Sequence, residues 1–412
     1  MSYLLSRGLI SRQQHAFINR HSTVTNLLEC THDWMVAMHG RQSVDVVYVD
    51  FSRAFDSVVH SKLILKLTTF GINGNLLEWI KSFLSDRSQC VVIEHCFSEW
   101  QPVLSGVPQG SVLGPILFIL FIDGVCDVCS GPVTLALYAD DLKLYSTIST
   151  DYNSDLLQQA LDRLQQWCTE WQLSVNVNKC HVLHVGKISS NCSYFINGSQ
   201  IIDANMVCDL GVDVDPLLKF DAHINRIIGK AYCRIGVLFK GFTSRNSAIL
   251  KLAYITYVRP ILEYASNVWS PHLIKHINAL ERVQKYFTKR IPALSHLSYP
   301  ERLAAMDLES LELRRLKCDL VMYFKCLNNI VALPSQDFFI QSVTSTQTRA
   351  GGNRLYVPLF STNHFANDFF NRCLVCYNSL PVEVVSVNSV ITFKNLLNNI
   401  DVSRFLHCSY FS

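Results

Sequence analysis

Residues 133–147 read VTLALYADDLKLYST. Two apolar runs, VTLALY (133–138) and LKLYST (142–147), flank Ala139-Asp140-Asp141. Runs of that length, rich in β-branched and aromatic residues, form strands, so the stretch predicts a hairpin with two carboxylates at its tip. A hairpin with no other task turns on Asn-Gly or Asp-Gly. Taken alone, Asp-Asp is a common solvated turn. Between two hydrophobic strands it is costly, because neighbouring like charges oppose each other's ionisation. A hard divalent cation removes that cost.

Working outward, VDVVYVDF (44–51) predicts a buried strand that ends at a third acid, Asp50. A helix is expected over 60–70, stopping before Gly71, and Asn75 is placed to cap a second one carrying Leu76, Leu77, Ile80, Phe83 and Leu84. CVVI (90–93) predicts a strand leading into a hairpin. The loop SGVPQGSVLGP (105–115) then enters an apolar helix from about Pro115 to Phe121. Leu157, Ala160, Leu161, Leu164, Trp167, Cys168 and Trp171 mark a long amphipathic helix. Strands return near 173–185 and 194–202, and 221–330 is mainly helical. Mixed strands and helices followed by a helical block predict an α+β domain and then a mostly α region.

The chain has 412 residues, 49% hydrophobic and 17% charged, which excludes a mainly disordered protein and implies two or three domains. Its net charge of +3 hides an asymmetry. Lys219 to Arg290 holds thirteen Lys/Arg against three acids, a net of +10, so the remainder carries −7. Arg226, Lys230 and Arg234 recur every four residues, opposite an apolar side of Ile224, Ile227, Ile228, Ala231 and Ile235; Arg282, Lys285 and Lys289 make a second stripe. A solvated face mixes signs and this one hardly does, so a phosphate backbone is the expected partner. Fifteen scattered cysteines, an odd number, read as reduced thiols of an intracellular protein, nuclear or cytoplasmic. The pairs Cys126/Cys129 and Cys373/Cys376 lie too far apart for a compact zinc knuckle. The uncharged run Trp100–Ile122 is interrupted by Pro102, Pro108, Pro115, Gly106, Gly110 and Gly114, so no transmembrane helix is expected, and the N-terminus is not that of a signal peptide.

VDFSRAFD (49–56), SGVPQGSVLGPILF (105–118) and LYADD (137–141), in this order, resemble the palm motifs of reverse transcriptases, in the flavour of non-LTR (LINE-type) retrotransposons. QHAFINRHST (14–23), WCTEWQLSVNVNKC (167–180), DLGVDVD (209–215), YPERLAAMDLESLELRR (299–315) and YNSLP (377–381) extend the resemblance over nearly the whole chain. It implies a right-hand polymerase palm with partial fingers over 1–196, a basic helical thumb over 197–330, and a C-terminal region of unknown role over 331–412. It implies an RNA-directed DNA polymerase that takes an RNA template, a DNA primer or target and dNTPs. Asp50, Asp140 and Asp141 would hold two Mg²⁺ ions, with Mn²⁺ as the alternative. The resemblance gives the Phe51 carbonyl as a further oxygen and Phe55 as the ring beneath the incoming sugar. Gln109 and Gly110 would lie against nucleotide and template–primer, and Lys179 near the departing pyrophosphate as a general acid. Arg226, Lys230, Arg234, Arg282, Lys285 and Lys289 would follow the backbone of the duplex.

The chain departs from the family pattern in places. Only thirteen residues precede QHAF, so the upstream fingers strands and the endonuclease domain of many such elements are expected to be missing, as in an N-terminally truncated chain. Val49-Asp50-Phe51-Ser52-Arg53 replaces the usual Leu-Asp-Phe-Ser-Lys, and Tyr377 stands where Trp is usual. The competing expectation is a catalytically inactive, nucleic-acid-binding remnant that keeps the basic helices.

Overall fold

In the computed structural model, which describes residues 2–129, 131–149, 151–186, 192–340, 354–360 and 362–408, five strands form one sheet. They are β1 (Ser43–Val49), β2 (Val133–Tyr138), β3 (Asp141–Ile148), β4 (His181–Val185) and β5 (Ile202–Asp203), in the order β5-β4-β1-β3-β2. β1 is antiparallel to both neighbours, pairing Val44 with Thr147 and Val185, and Val49 with Leu142. β2 and β3 are the expected hairpin, and β5 joins β4 in parallel. Being central explains why β1 is apolar on both faces: Val44, Val46, Val47 and Val49 are all nearly inaccessible.

Helices pack into the same core, among them α1 (His60–Thr69), α2 (Leu113–Ile122) and α3 (Asp151–Trp171). α2 buries Leu117 to Ile122 without a gap, as a helix apolar all round must. It is ten residues long, and among the described residues no helix is long and apolar enough to cross a membrane. α3 buries Leu157, Ala160, Leu161 and Leu164 along the predicted stripe. Two local expectations are corrected. The second short helix runs Gly74–Leu84, so Asn75 lies inside it, and Asn73 occupies the cap position without a side-chain hydrogen bond. CVVI is not a strand of any length. Only two-residue pairs form, Val92–Ile93 with Cys96–Phe97 and Ser88–Gln89 with Gln101–Pro102, and their side chains are exposed because no layer covers them.

The contacts divide the chain into two compact units: Met1–Asn26 with Gly40–Val207, and Leu27–His39 with Cys208–Ser412. Among the described residues the second unit is built mainly from helices, including α4 (Asp221–Gly241), α5 (Ile274–Lys289) and α6 (Leu311–Leu327). α4 and α5 meet through Phe239 and Phe287, with ring centroids 5.6 Å apart. Phe324 of α6 stacks on Phe393 at 4.3 Å, which ties residues 390–398 to the same core. Arg372 closes a buried bridge to Asp319 at 2.8 Å and donates to the Asn267 carbonyl at 2.7 Å. His32, in the helix Thr23–His39, bonds Asp368 at 2.8 Å and packs on Phe370. Residues 341–353, 361 and 409–412 of the C-terminal region lie outside the described residues. Among the described residues no disulfide is formed between the fifteen cysteines.

On β1, Asp45 faces away from the side that Asp50 continues, since side chains alternate along a strand. It is fully buried and held by His184 Nδ1 at 2.7 Å and by the Tyr194 hydroxyl, which donates to it at 2.7 Å. The hydrogen bond to Asp45 raises the His184 pKa above its ordinary 6.5, against the opposing effect of burial. A raised histidine stabilises the fold fully below its unfolded pKa, and that contribution is lost as pH climbs through the folded value. Thermal unfolding of the full chain should therefore show Tm declining as pH rises above about 6.5. In His184→Gln that part of the slope should vanish, and equal slopes in parent and variant would refute the linkage.

Candidate active site

The site is set by register. Carried one step beyond Val49–Leu142, the β1–β3 pairing puts Asp50 level with Asp141, at the hairpin turn. Carried two steps beyond Tyr48–His181, the β1–β4 pairing puts Lys179 level with Asp50 on the other side. The chain closes around that point: the Asn176 amide donates to the Asp50 carbonyl at 2.8 Å, and the Ser52 amide donates to the Ser174 carbonyl at 2.7 Å. Phe51 is thereby bridged to Val175, while its own carbonyl stays out of that ladder. Ninety residues of sequence separate Asp50 from Asp140, and the central position of β1 brings them together.

Asp50 and Asp140 share one electrostatic environment. Burial raises the Asp140 pKa above its ordinary value and the charge of Asp50 raises it further, against a backbone hydrogen bond that lowers it. Lys179 Nζ stands 3.7 Å from Asp50 Oδ2, but its side chain is 67% exposed. An exposed pair of that kind is worth little, so the lysine does not neutralise the acids. Asp141 follows Asp140 as the exposed first residue of β3. Among the described residues no three His, Cys, Asp or Glu side chains are gathered as a metal cage. The donors still fit Mg²⁺, which binds through one or two carboxylates and takes its remaining oxygens from water and substrate phosphate. A half-buried acid, further penalised by a second one, is the charge distribution that such a cation relieves.

The loop at 105–110 is locked to the segment after β1. Gly106 has φ +88°, and a Cβ there would lie 2.8 Å from the backbone of Asp56. Its glycine therefore answers a close approach within the chain; Gly110, φ +78°, has nothing within 4 Å. Gln109 donates from Nε2 to Asp56 Oδ1 at 2.8 Å, which fixes the exposed amide. Phe55 stacks on Phe118 of α2 at 4.1 Å, and its carbonyl accepts from the Val107 amide. One group escaped the sequence reading. Gln14, fully buried, bonds the backbone of Ala139 in the acidic turn. Nothing local in QHAF announces a partner 125 positions away.

The basic stripes are less uniform than their spacing implied. Arg226 is only partly exposed and is engaged within the chain: it is ion-paired with Asp213, donates to the Gly211 carbonyl at 3.0 Å, and lies 3.2 Å from His223. Burial and Arg226 together push His223 down to about 4, so it is neutral. Lys285 lies over the Tyr299 ring, and Lys289 donates to the Ser295 carbonyl at 2.7 Å. Lys230, Arg234 and Arg282 are exposed, on α4 and α5, where Tyr232 and Tyr286 meet edge to face at 5.3 Å.

Residues 2–214 match the family described as reverse transcriptase (RNA-dependent DNA polymerase). The RNA-directed DNA polymerase from mobile element jockey of Drosophila funebris is 29% identical over 293 residues, covering 68% of this chain and 32% of that protein. The probable RNA-directed DNA polymerase from transposon BS of Drosophila melanogaster is 28% identical over 297 residues, with the same coverage. The chain thus spans about a third of the length of these relatives. Among solved structures, apo telomerase from Candida tropicalis aligns with a TM-score of 0.41 at 12% identity, over 82% of this chain and 57% of that one. A likeness that loose carries no functional weight.

A raised carboxyl pKa means that ionising Asp140 costs the folded state stability as pH rises past the ordinary carboxylate value. Without divalent metal, Asp140→Asn should raise Tm at pH 7 by about 2 °C, and should leave it unchanged at a pH where the acid is protonated in both states. Calorimetry in EDTA measures this, and a lower Tm at pH 7 would contradict the charge reading.

Proposed function

Because the chain belongs to the reverse transcriptase family, whose match covers residues 2–214, we propose that its first unit is the palm and catalytic centre of a non-LTR retrotransposon RNA-directed DNA polymerase. The observation that carries this is the meeting of Asp50 and Asp140 at the end of the central strand, with Asp140 penalised by burial and by its neighbour. Divalent metal dependence is general in this family. Asp50, Asp140 and Asp141 are the carboxylates that would hold two Mg²⁺, or Mn²⁺, and the Phe51 carbonyl adds an oxygen. When bound, such ions activate a primer 3′-hydroxyl and stabilise the leaving pyrophosphate.

The remaining roles belong to side chains already held in place. Phe55, stacked on Phe118, offers a fixed ring beneath the sugar of a dNTP and disfavours a 2′-hydroxyl. Gln109 keeps its carbonyl oxygen for the nucleotide, since its amide is committed to Asp56. Gly110 leaves room for the template–primer stack. Lys179, beside Asp50, supplies the proton to the departing pyrophosphate. In the second unit, Lys230, Arg234 and Arg282 contact phosphates of an RNA–DNA duplex, with Lys285 and Lys289 at the margin. Arg226 supports α4 through Asp213.

The test is primer extension by the full chain on poly(rA)/oligo(dT) with Mg²⁺. Asp140→Asn should lower the rate by roughly a thousandfold or more while duplex affinity holds, since metal stabilisation of the transition state is worth several kcal/mol. Rates within tenfold of the parent would sink the assignment. No extension by the parent, with duplex binding intact, would favour the inactive remnant.

Binding is tested separately by a salt titration of duplex affinity. Neutralising Lys230, Arg234 and Arg282 together should flatten the log–log slope by about two to three, near one per phosphate contact. Arg226→Gln should instead lower Tm and leave the slope alone. Parallel slopes for the triple variant and the parent would mean that the three side chains only face water.

A further inference from the structure

Resting on the polymerase reading, we propose that Gln14 is a positioning residue: it holds the Asp140–Asp141 turn in a backbone conformation that the turn does not favour by itself. Ala139, the residue before Asp140, has φ +58°. That is the left-handed region, which a residue with a Cβ occupies only when its surroundings enforce it. A hairpin that needed this conformation and nothing more would place Gly or Asn there.

The enforcement comes from outside the hairpin. Gln14 Oε1 accepts from the Ala139 amide at 2.9 Å and from the Ala16 amide at 2.9 Å. Gln14 Nε2 donates to the Ala139 carbonyl at 3.5 Å. One buried side chain therefore engages both polar backbone groups of the strained residue. Its own placement is fixed by a rung along β2: the Leu137 amide donates to the Gln13 carbonyl, and the His15 amide donates to the Leu137 carbonyl, each at 2.9 Å. Asn26 donates to the same Leu137 carbonyl at 3.2 Å. If the Ala139 peptide relaxed toward negative φ, the next residue would swing, and the Asp140 carboxylate would leave its place beside Asp50. The hydrogen bonds of Gln14 to the turn end on backbone atoms, so its influence on the acids passes through Ala139.

The experiment uses Gln14→Met, which keeps the volume and removes the amide, alone and combined with Ala139→Gly. In the metal-free single variant, hydrogen exchange at the Ala139 amide should quicken by about tenfold or more, the scale of one buried hydrogen bond, while Val47 in the sheet centre stays protected. Mn²⁺ affinity, read by electron paramagnetic resonance, should weaken by about tenfold on the same scale. Glycine takes positive φ without penalty, so the double variant should regain the parent's Mn²⁺ affinity to within about threefold. A residue that merely filled space would give no such rescue. If Gln14→Met does not fold, Gln14→Glu serves: it keeps the acceptor for both amides but turns an oxygen toward the Ala139 carbonyl, and exchange at 139 should again quicken. Unchanged exchange at Ala139 in a folded variant, or a double variant as weak for Mn²⁺ as the single, would overturn the proposal. A parent that fails to extend primers while these results hold would sink the polymerase reading and leave the clamp standing.

Discussion

Everything at the candidate site depends on β1 being hydrogen-bonded along both edges. An edge strand would deliver Asp50 to one neighbour. A central strand delivers it to two, so the same residue stands level with the hairpin turn on one side and with Lys179 on the other. The Val-rich sequence of β1 is the physical condition for that placement, since only a strand apolar on both faces is stable in the middle of a covered sheet. The acids are then forced together by pairing geometry against their own repulsion. Burial of Asp140 and the charge of Asp50 act in the same direction, and Lys179 is too exposed to cancel them. A site of this kind stores an electrostatic debt in the fold, as functional sites commonly do.

The second unit follows a different logic. Its excess charge is real in sequence, but structure sorts it. Arg226 is consumed within the unit by Asp213 in a half-buried pair, and Arg372 by Asp319 in a pair buried on both sides. The surplus is left on exposed faces of α4 and α5, beside the edge-to-face tyrosines Tyr232 and Tyr286. A net count over Lys219–Arg290 therefore overstates what a duplex would meet. Side chains that keep no partner are the ones that set a salt dependence.

The sequence made some of this legible and hid the rest, for identifiable reasons. The hairpin, the central strand and the long helix over 151–171 could be read because each carries one strong period or one unbroken apolar run. Asp50 and Asp140 could be picked out because charge is out of place beside such runs. The cap at Asn73 was misread as Asn75 because both residues suit a helix start and only backbone angles separate them. The paired strands around CVVI were overread, since β-branched residues favour extended backbone whether or not a layer covers them. Gln14 stayed invisible because its partners are backbone atoms far along the chain, and a buried amide leaves no periodic trace. Arg226 looked like its neighbours in the stripe because its acid, Asp213, sits on the preceding strand and off the helical register.

The helix Thr23–His39 begins in one unit and spends its last thirteen residues in the other. Leu27, Leu28 and Trp34 within it are almost completely inaccessible. No single cut, therefore, separates the two halves cleanly: a fragment ending at Val207 would carry a stranded apolar segment, and one starting at Cys208 would lack a piece of its own interior. The same arrangement imposes an order on biosynthesis. Those thirteen residues leave the ribosome before the rest of their unit exists, and must wait, uncovered, while the 168 residues 40–207 are made. Uncovered apolar surface of this kind is what makes folding intermediates prone to aggregation, and closing so long a loop carries an entropic cost that shorter-range contacts do not.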